Sequence, residues 1–113
     1  MKLDRFKKGF RGMKKDLLKI IEHFGVNNQQ RKLQEEVFEL QEAIMEYRYD
    51  ENKIYPEVEE CLKGHIAEEI ADICVILRQF MEHYDITQDE ISDRMADKIN
   101  RTLERIESGY YEK

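Results

Sequence analysis

A single proline, Pro56, interrupts 113 residues, and only five glycines accompany it. A chain with so few breakers cannot supply the many tight turns of a sandwich or barrel, so long helices are what it can build. The apolar spacing agrees. Leu17, Leu18, Ile20, Ile21 and Phe24 give a first helix its apolar face, and Gly25 its stop. Asn27 or Asn28 caps a second helix, which runs to about Tyr47 on Leu33, Val37, Leu40 and Ile44. The stretch 47–60 contains Pro56 and loses the periodicity, so it reads as a connection. A third helix is expected from about Leu62 to His83 on Ile66, Ile70, Ile73, Leu77 and Phe80, with Asp85 breaking it. Thr87 and Glu90 form a capping box. The fourth helix then follows on Ile91, Met95, Ile99, Leu103 and Ile106 to Gly109. No segment alternates as a strand does. The expected fold class is all-α, a four-helix bundle: a basic arm over 1–16, a domain over 17–109 and a tail over 110–113.

Hydrophobic residues make up 41% and charged residues 39%, too apolar for a disordered chain and suited to helices with one buried stripe each. A core of this length is modest, so the helices gain by pairing with a second subunit, and a homodimer is expected. The 19 basic residues are outweighed by 25 acidic ones, which excludes general nucleic-acid affinity as the default. Residues 1–15 run against that trend, with seven basic residues and one acid, Asp4. This head is either an extra helical turn with a solvated face or a contact for nucleic acid or an acidic partner. No apolar run approaches the ~20 residues that span a bilayer, and the first residues lack the apolar core of a signal peptide. Cys61 and Cys74 form no CxxC and no metal spacing. They read as free thiols of a reducing cytoplasm, and no membrane partner is expected.

The chemistry lies in a repeat. Leu33-Gln34-Glu35-Glu36-Val37-Phe38-Glu39-Leu40 aligns with Ile66-Ala67-Glu68-Glu69-Ile70-Ala71-Asp72-Ile73, 33 residues on. At about 100° per residue, Glu36 lies on the shoulder of the apolar stripe and Glu39 roughly 60° beyond it. Glu69 and Asp72 repeat those two positions. Four carboxylates at the border of two packed faces repel one another and lose hydration. A hard divalent cation, Mg²⁺ or Mn²⁺, resolves both problems because it takes oxygen ligands in near-octahedral arrays. A wet acidic face is the plain alternative, and a buried Glu–Lys network the intermediate one. On the fourth helix Arg94, Lys98, Arg101 and Arg105 recur at i, i+4, i+7 and i+11. Beside a metal site such a stripe suits a polyphosphate; alone it is a salt-bridged surface.

The pattern KLQEEVFEL, followed on the next helix by EEIADI, resembles the ExxE…ExxD signature of the MazG-like all-α nucleoside triphosphate pyrophosphatases. The resemblance covers roughly residues 17–107. It implies a helical bundle, a tight dimer or a dimer of dimers, and Mg²⁺-dependent hydrolysis of an NTP or dNTP to the monophosphate and pyrophosphate. By position, Glu36, Glu39, Glu69 and Asp72 match the family's metal ligands. Glu35 matches the further acid of EExxE, either an additional ligand or the base that orients the attacking water. Lys32 matches a lysine that assists phosphate binding, and Lys98, Arg101 and Arg105 are candidates to balance pyrophosphate charge. Three features depart from the family pattern: 29 residues between Glu39 and Glu69, His65 where some relatives carry a basic residue, and the basic head.

The rival expectation keeps the bundle and loses hydrolysis, as a nucleotide-binding regulatory module or a helical protein-interaction adaptor. His23 and His83 read as surface or capping residues; only His65 falls near the acidic repeat. Tyr47, Tyr49, Tyr55 and Phe38 are open to two uses, stacking on a base or packing at a subunit interface. No glycine-rich phosphate loop, GxSxG elbow or Cys/His catalytic pair is present.

Overall fold

The computed structural model describes residues 13–112 and contains, within them, α1 (Lys14–Phe24), α2 (Val26–Tyr49), α3 (Pro56–His83) and α4 (Gln88–Glu107), with a short 3-10 segment, Glu51–Ile54. No strand occurs among the described residues. The all-α expectation is met. The first twelve residues of the basic arm, and Lys113 of the tail, lie outside the described residues.

Two boundaries differ from expectation. Gly25, at φ 90°, both ends α1 and begins α2: its N–H donates to the Ile21 carbonyl at 2.8 Å, and its carbonyl accepts from Gln29 N–H at 3.0 Å. Neither Asn27 nor Asn28 caps α2. Asn28 instead donates back to the Phe24 carbonyl at 2.6 Å, satisfying the end of α1. Pro56 begins α3 rather than marking a loop. Its fixed φ and missing N–H cost nothing at the first helical position, so α3 starts six residues before Leu62. The connection between α2 and α3 shrinks to Asp50–Tyr55, where the Asp50 carboxylate accepts from Asn52 N–H at 2.8 Å. Most of the 29 residues between Glu39 and Glu69 are thus helix.

At the other end of α3 the chain turns through Tyr84 and Asp85, the latter at φ 57°. Thr87 Oγ1 then accepts from Glu90 N–H at 3.1 Å, the forward half of the expected capping box.

Helices α2 and α3 lie antiparallel, since Gln29 meets Gln79 while Glu46 meets His65. Helix α1 packs mainly on α3, with Leu17 and Ile21 buried and Lys14 reaching Glu82 at 3.9 Å. The burial corrects the expected core. The α2 side of the seam is Gln29, Glu36 and Ala43; the α3 side is Glu69, Ile76 and Gln79. The apolar stripes lie about 70° round from that seam on α2 and about 100° on α3, and much of them stays open: Val37, Ile44, Leu77 and Ile70 are exposed, the last at 47%. Helix α4 makes no extensive contact with another helix among the described residues. Its stripe of Met95, Ile99, Leu103 and Ile106 is more than half exposed throughout.

Candidate functional site

Glu36 and Glu69 meet across the α2–α3 seam and are almost completely buried, at 4% and 8% exposure. The two carboxylates are built alike. Lys32, one turn before Glu36, places Nζ 3.0 Å from Glu36 Oε1. His65, one turn before Glu69, places Nε2 3.4 Å from Glu69 Oε1. The 33-residue repeat thus extends to the nitrogen-bearing side chains one turn earlier, Lys32 pairing by position with His65. In each carboxylate the second oxygen, Oε2, is buried with no hydrogen-bond partner. Such an atom costs about 1–3 kcal/mol unless something supplies what water did.

Asp72 completes the cluster from the exposed rim, and one ligand oxygen from each of Glu36, Glu69 and Asp72 lies within 4.8 Å of the others. Around an octahedral Mg²⁺ with bonds of about 2.1 Å, oxygens stand roughly 3–4.2 Å apart, so a small contraction closes the set. The donor set is all oxygen and bears three formal charges, which fits a hard divalent ion. Glu39 is exposed and falls outside this group of three. Its charge nevertheless reaches Glu69.

The electrostatics separate the two buried acids. The hydrogen bond from Lys32 holds the Glu36 carboxyl below its ordinary pKa, against an opposing push from burial. The same bond raises the Lys32 ammonium. Burial, and then the charges of Glu39, Glu36 and Asp72, push Glu69 upward. Glu69 is therefore the member that most needs an added cation.

A cleft of about 740 Å³ opens beside the cluster, lined on α2 by Asn28, Gln29, Arg31, Lys32, Glu35 and Glu36, and on α3 by Asp72, Val75, Ile76 and Gln79, with Phe24 at one end. Glu35, the expected base, stands on this wall beside Glu36. Lys32 and Arg31 supply cations to the same cleft. Lys98, Arg101 and Arg105 do not line it. They are carried on α4, where Arg105 lies over the Tyr110 ring at 4.7 Å, and within one chain they are not brought to the carboxylates. Arg94 of the same stripe is paired with Glu90 at 3.2 Å. The tyrosines are elsewhere too: Lys53 sits over Tyr47 and Arg48 over Tyr49, toward the far end of α2, and Phe38 faces outward.

The sequence pattern places Phe24 only on the apolar face of the first helix, and it does not single out Gln29, Arg31, Val75, Ile76 or Gln79, all of which line the cleft. A signal existed: Gln29 precedes Glu36 by seven residues and Gln79 follows Asp72 by seven, which places each on its acid's face of the helix.

No family model, no curated protein and no solved structure matches the chain.

Proposed function

We propose that the chain is a divalent-metal-dependent nucleoside triphosphate pyrophosphohydrolase of MazG-like type, acting on an NTP or dNTP. The observation that carries this reading is the pair of buried, partnerless oxygens, Glu36 Oε2 and Glu69 Oε2, on two carboxylates that cluster with Asp72. Glu36, Glu69 and Asp72 would hold the ion, with Glu39 beside them. A bound Mg²⁺ or Mn²⁺ would supply charge neutralisation on phosphate oxygens and a water of lowered pKa. Glu35 takes the proton of the attacking water. The water oxygen bonds to the α-phosphorus as the bridging bond to the β-phosphate breaks, giving monophosphate and pyrophosphate. Lys32 and Arg31 neutralise phosphate charge from the cleft wall.

The exposed stripes on α2, α3 and α4 support a homodimer or dimer of dimers, in which a second copy covers them. That arrangement is also the route by which Lys98, Arg101 and Arg105 reach a cleft. The open α4 stripe equally suits the adaptor reading, and one experiment separates the two. Each of a panel of NTPs and dNTPs is incubated with the protein and Mg²⁺, and pyrophosphate and orthophosphate are measured separately. Pyrophosphate release that disappears in Asp72→Asn is expected. Release of neither product from any nucleotide overturns the enzyme reading, and nucleotide binding without release makes the chain a regulatory module.

A further inference from the structure

The cleft continues past the carboxylates. Gln29 and Gln79 line its other end, Gln79 only 2% exposed, and Gln29 Nε2 donates to Gln79 Oε1 at 2.7 Å. Seven residues separate Gln29 from Glu36 and Gln79 from Asp72, about 10 Å along each helix. Between these ends stand Lys32 on α2 and Val75 and Ile76 on α3, and beyond the amides Phe24 presents a ring that is 53% exposed. Along its length the cleft offers carboxylates, a cation, an apolar stretch, two amides and an aromatic face. A nucleotide offers the complementary order: metal-bound phosphates, sugar, base edge and base face.

The amide pair has a property that a single amide lacks. A mutual hydrogen bond uses one donor and one acceptor, leaving a free carbonyl on one side chain and a free NH₂ on the other. Turning both terminal amides by half a rotation keeps that bond and reverses the order of the free groups. The terminal torsion of Gln is broad and two-fold, so both orders lie within its allowed range. A keto edge, with ring N–H beside C=O, meets one order. An amino edge, with ring N beside NH₂, meets the other.

We infer that Gln29 and Gln79 read the edge of the nucleobase and accept keto and amino bases alike, so that the substrates are nucleoside triphosphates without regard to that exchange. The inference rests on the pyrophosphohydrolase reading above. Its test is the kcat/KM of the protein with Mg²⁺ for dUTP, dCTP, dGTP and dATP, together with the inhibition constant of inorganic triphosphate, which has the phosphates and no base. Within each ring size, keto and amino nucleotides are expected within about 10-fold of each other. A rigid buried reader would separate them by ~10⁴ or more. Gln79→Leu, and Gln79→Met as a second choice should Leu not fold, are expected to raise nucleotide KM by at least about 10-fold relative to the inhibition constant of inorganic triphosphate. Discrimination above about 100-fold between dUTP and dCTP, or between dGTP and dATP, overturns the inference, and needs no variant. A parallel rise in nucleotide KM and the inhibition constant also overturns it, reducing the pair to a packing contact. If no nucleotide yields pyrophosphate, the hydrolase reading falls first, an outcome distinct from either of these.

Discussion

At the proposed metal site, Glu69→Gln is expected to act in opposite directions on the metal-free and the metal-loaded protein. Without a cation, Glu69 is a buried carboxylate facing Glu36, Glu39 and Asp72, with one oxygen lacking any partner. Gln has nearly the same shape, carries no charge and offers an N–H to the neighbouring carboxylate oxygens. The melting temperature in chelator is therefore expected to rise. With metal the sign reverses. An ion held at 100 times its dissociation constant stabilises the folded chain by about 2.7 kcal/mol. For a domain of this size that is roughly 10 °C, at about 4 °C per kcal/mol. Removing one of three charged ligands should take away most of that increment. The assay is a pair of thermal melts, in EDTA and in saturating Mg²⁺ or Mn²⁺, on wild type and variant. A variant that melts lower than wild type in EDTA, yet gains the full metal increment, would refute the reasoning at both points.

In EDTA the melting temperature should rise as pH falls from neutrality through the raised Glu69 pKa, because the folded chain there holds a proton the unfolded chain has lost. At lower pH it should fall as Glu36, held below its ordinary value by Lys32, takes up a proton and loses the ion pair; a pH series with Glu69→Gln, which lacks the rise, checks both signs. Asp72→Asn and Glu36→Gln should each remove nearly all pyrophosphate release, and the double variant should be little worse than either, since the ligands of the proposed site act as a unit; steady-state kinetics on the three proteins decides it. In the proposed homodimer, covering Met95, Ile99, Leu103 and Ile106, each about half exposed, is worth about 1 kcal/mol per side chain; Ile99→Asp loses that in both copies and adds the cost of burying two unpaired carboxylates, so the dissociation constant should rise at least ~100-fold by sedimentation. Thr87→Ala should cost about 1 kcal/mol through loss of the α4 cap, seen as a fall of ~4 °C in melting temperature.

What was legible in the sequence was the helical period and the acidic repeat. The spacing of Leu17 to Phe24 and of Ile91 to Ile106 found α1 and α4, and the 33-residue offset found Glu36, Glu69 and Asp72. What was not legible was which face of α2 and α3 the chain itself buries. Periodicity ranks faces by apolarity, and that ranking favoured Leu33, Val37, Leu40 and Ile44 over Gln29, Glu36 and Ala43. The folded chain packs the second set inside, because α1 and α3 close on that side, and leaves the first partly open. An apolar stripe states that something must cover it, without stating whether the cover lies in the same chain. Pro56 misled for a similar reason: it breaks helix interiors yet suits a helix start, and local sequence does not say which applies.

Gly25 has an effect on the cleft out of proportion to its size. It joins α1 to α2 with no intervening residue, so one φ/ψ pair, 90° and 149°, sets the angle between the two helices. A Cβ there would meet nothing within 4 Å, so the demand for glycine is purely conformational. Phe24 precedes this corner and the Asn28–Gln29 wall follows it. The mouth of the cleft therefore has the geometry of an aperture governed by one pivot, while the carboxylates at the other end are fixed by two long helices that do not pass through it. One corner thus sets the direction of the aromatic end separately from the acidic floor.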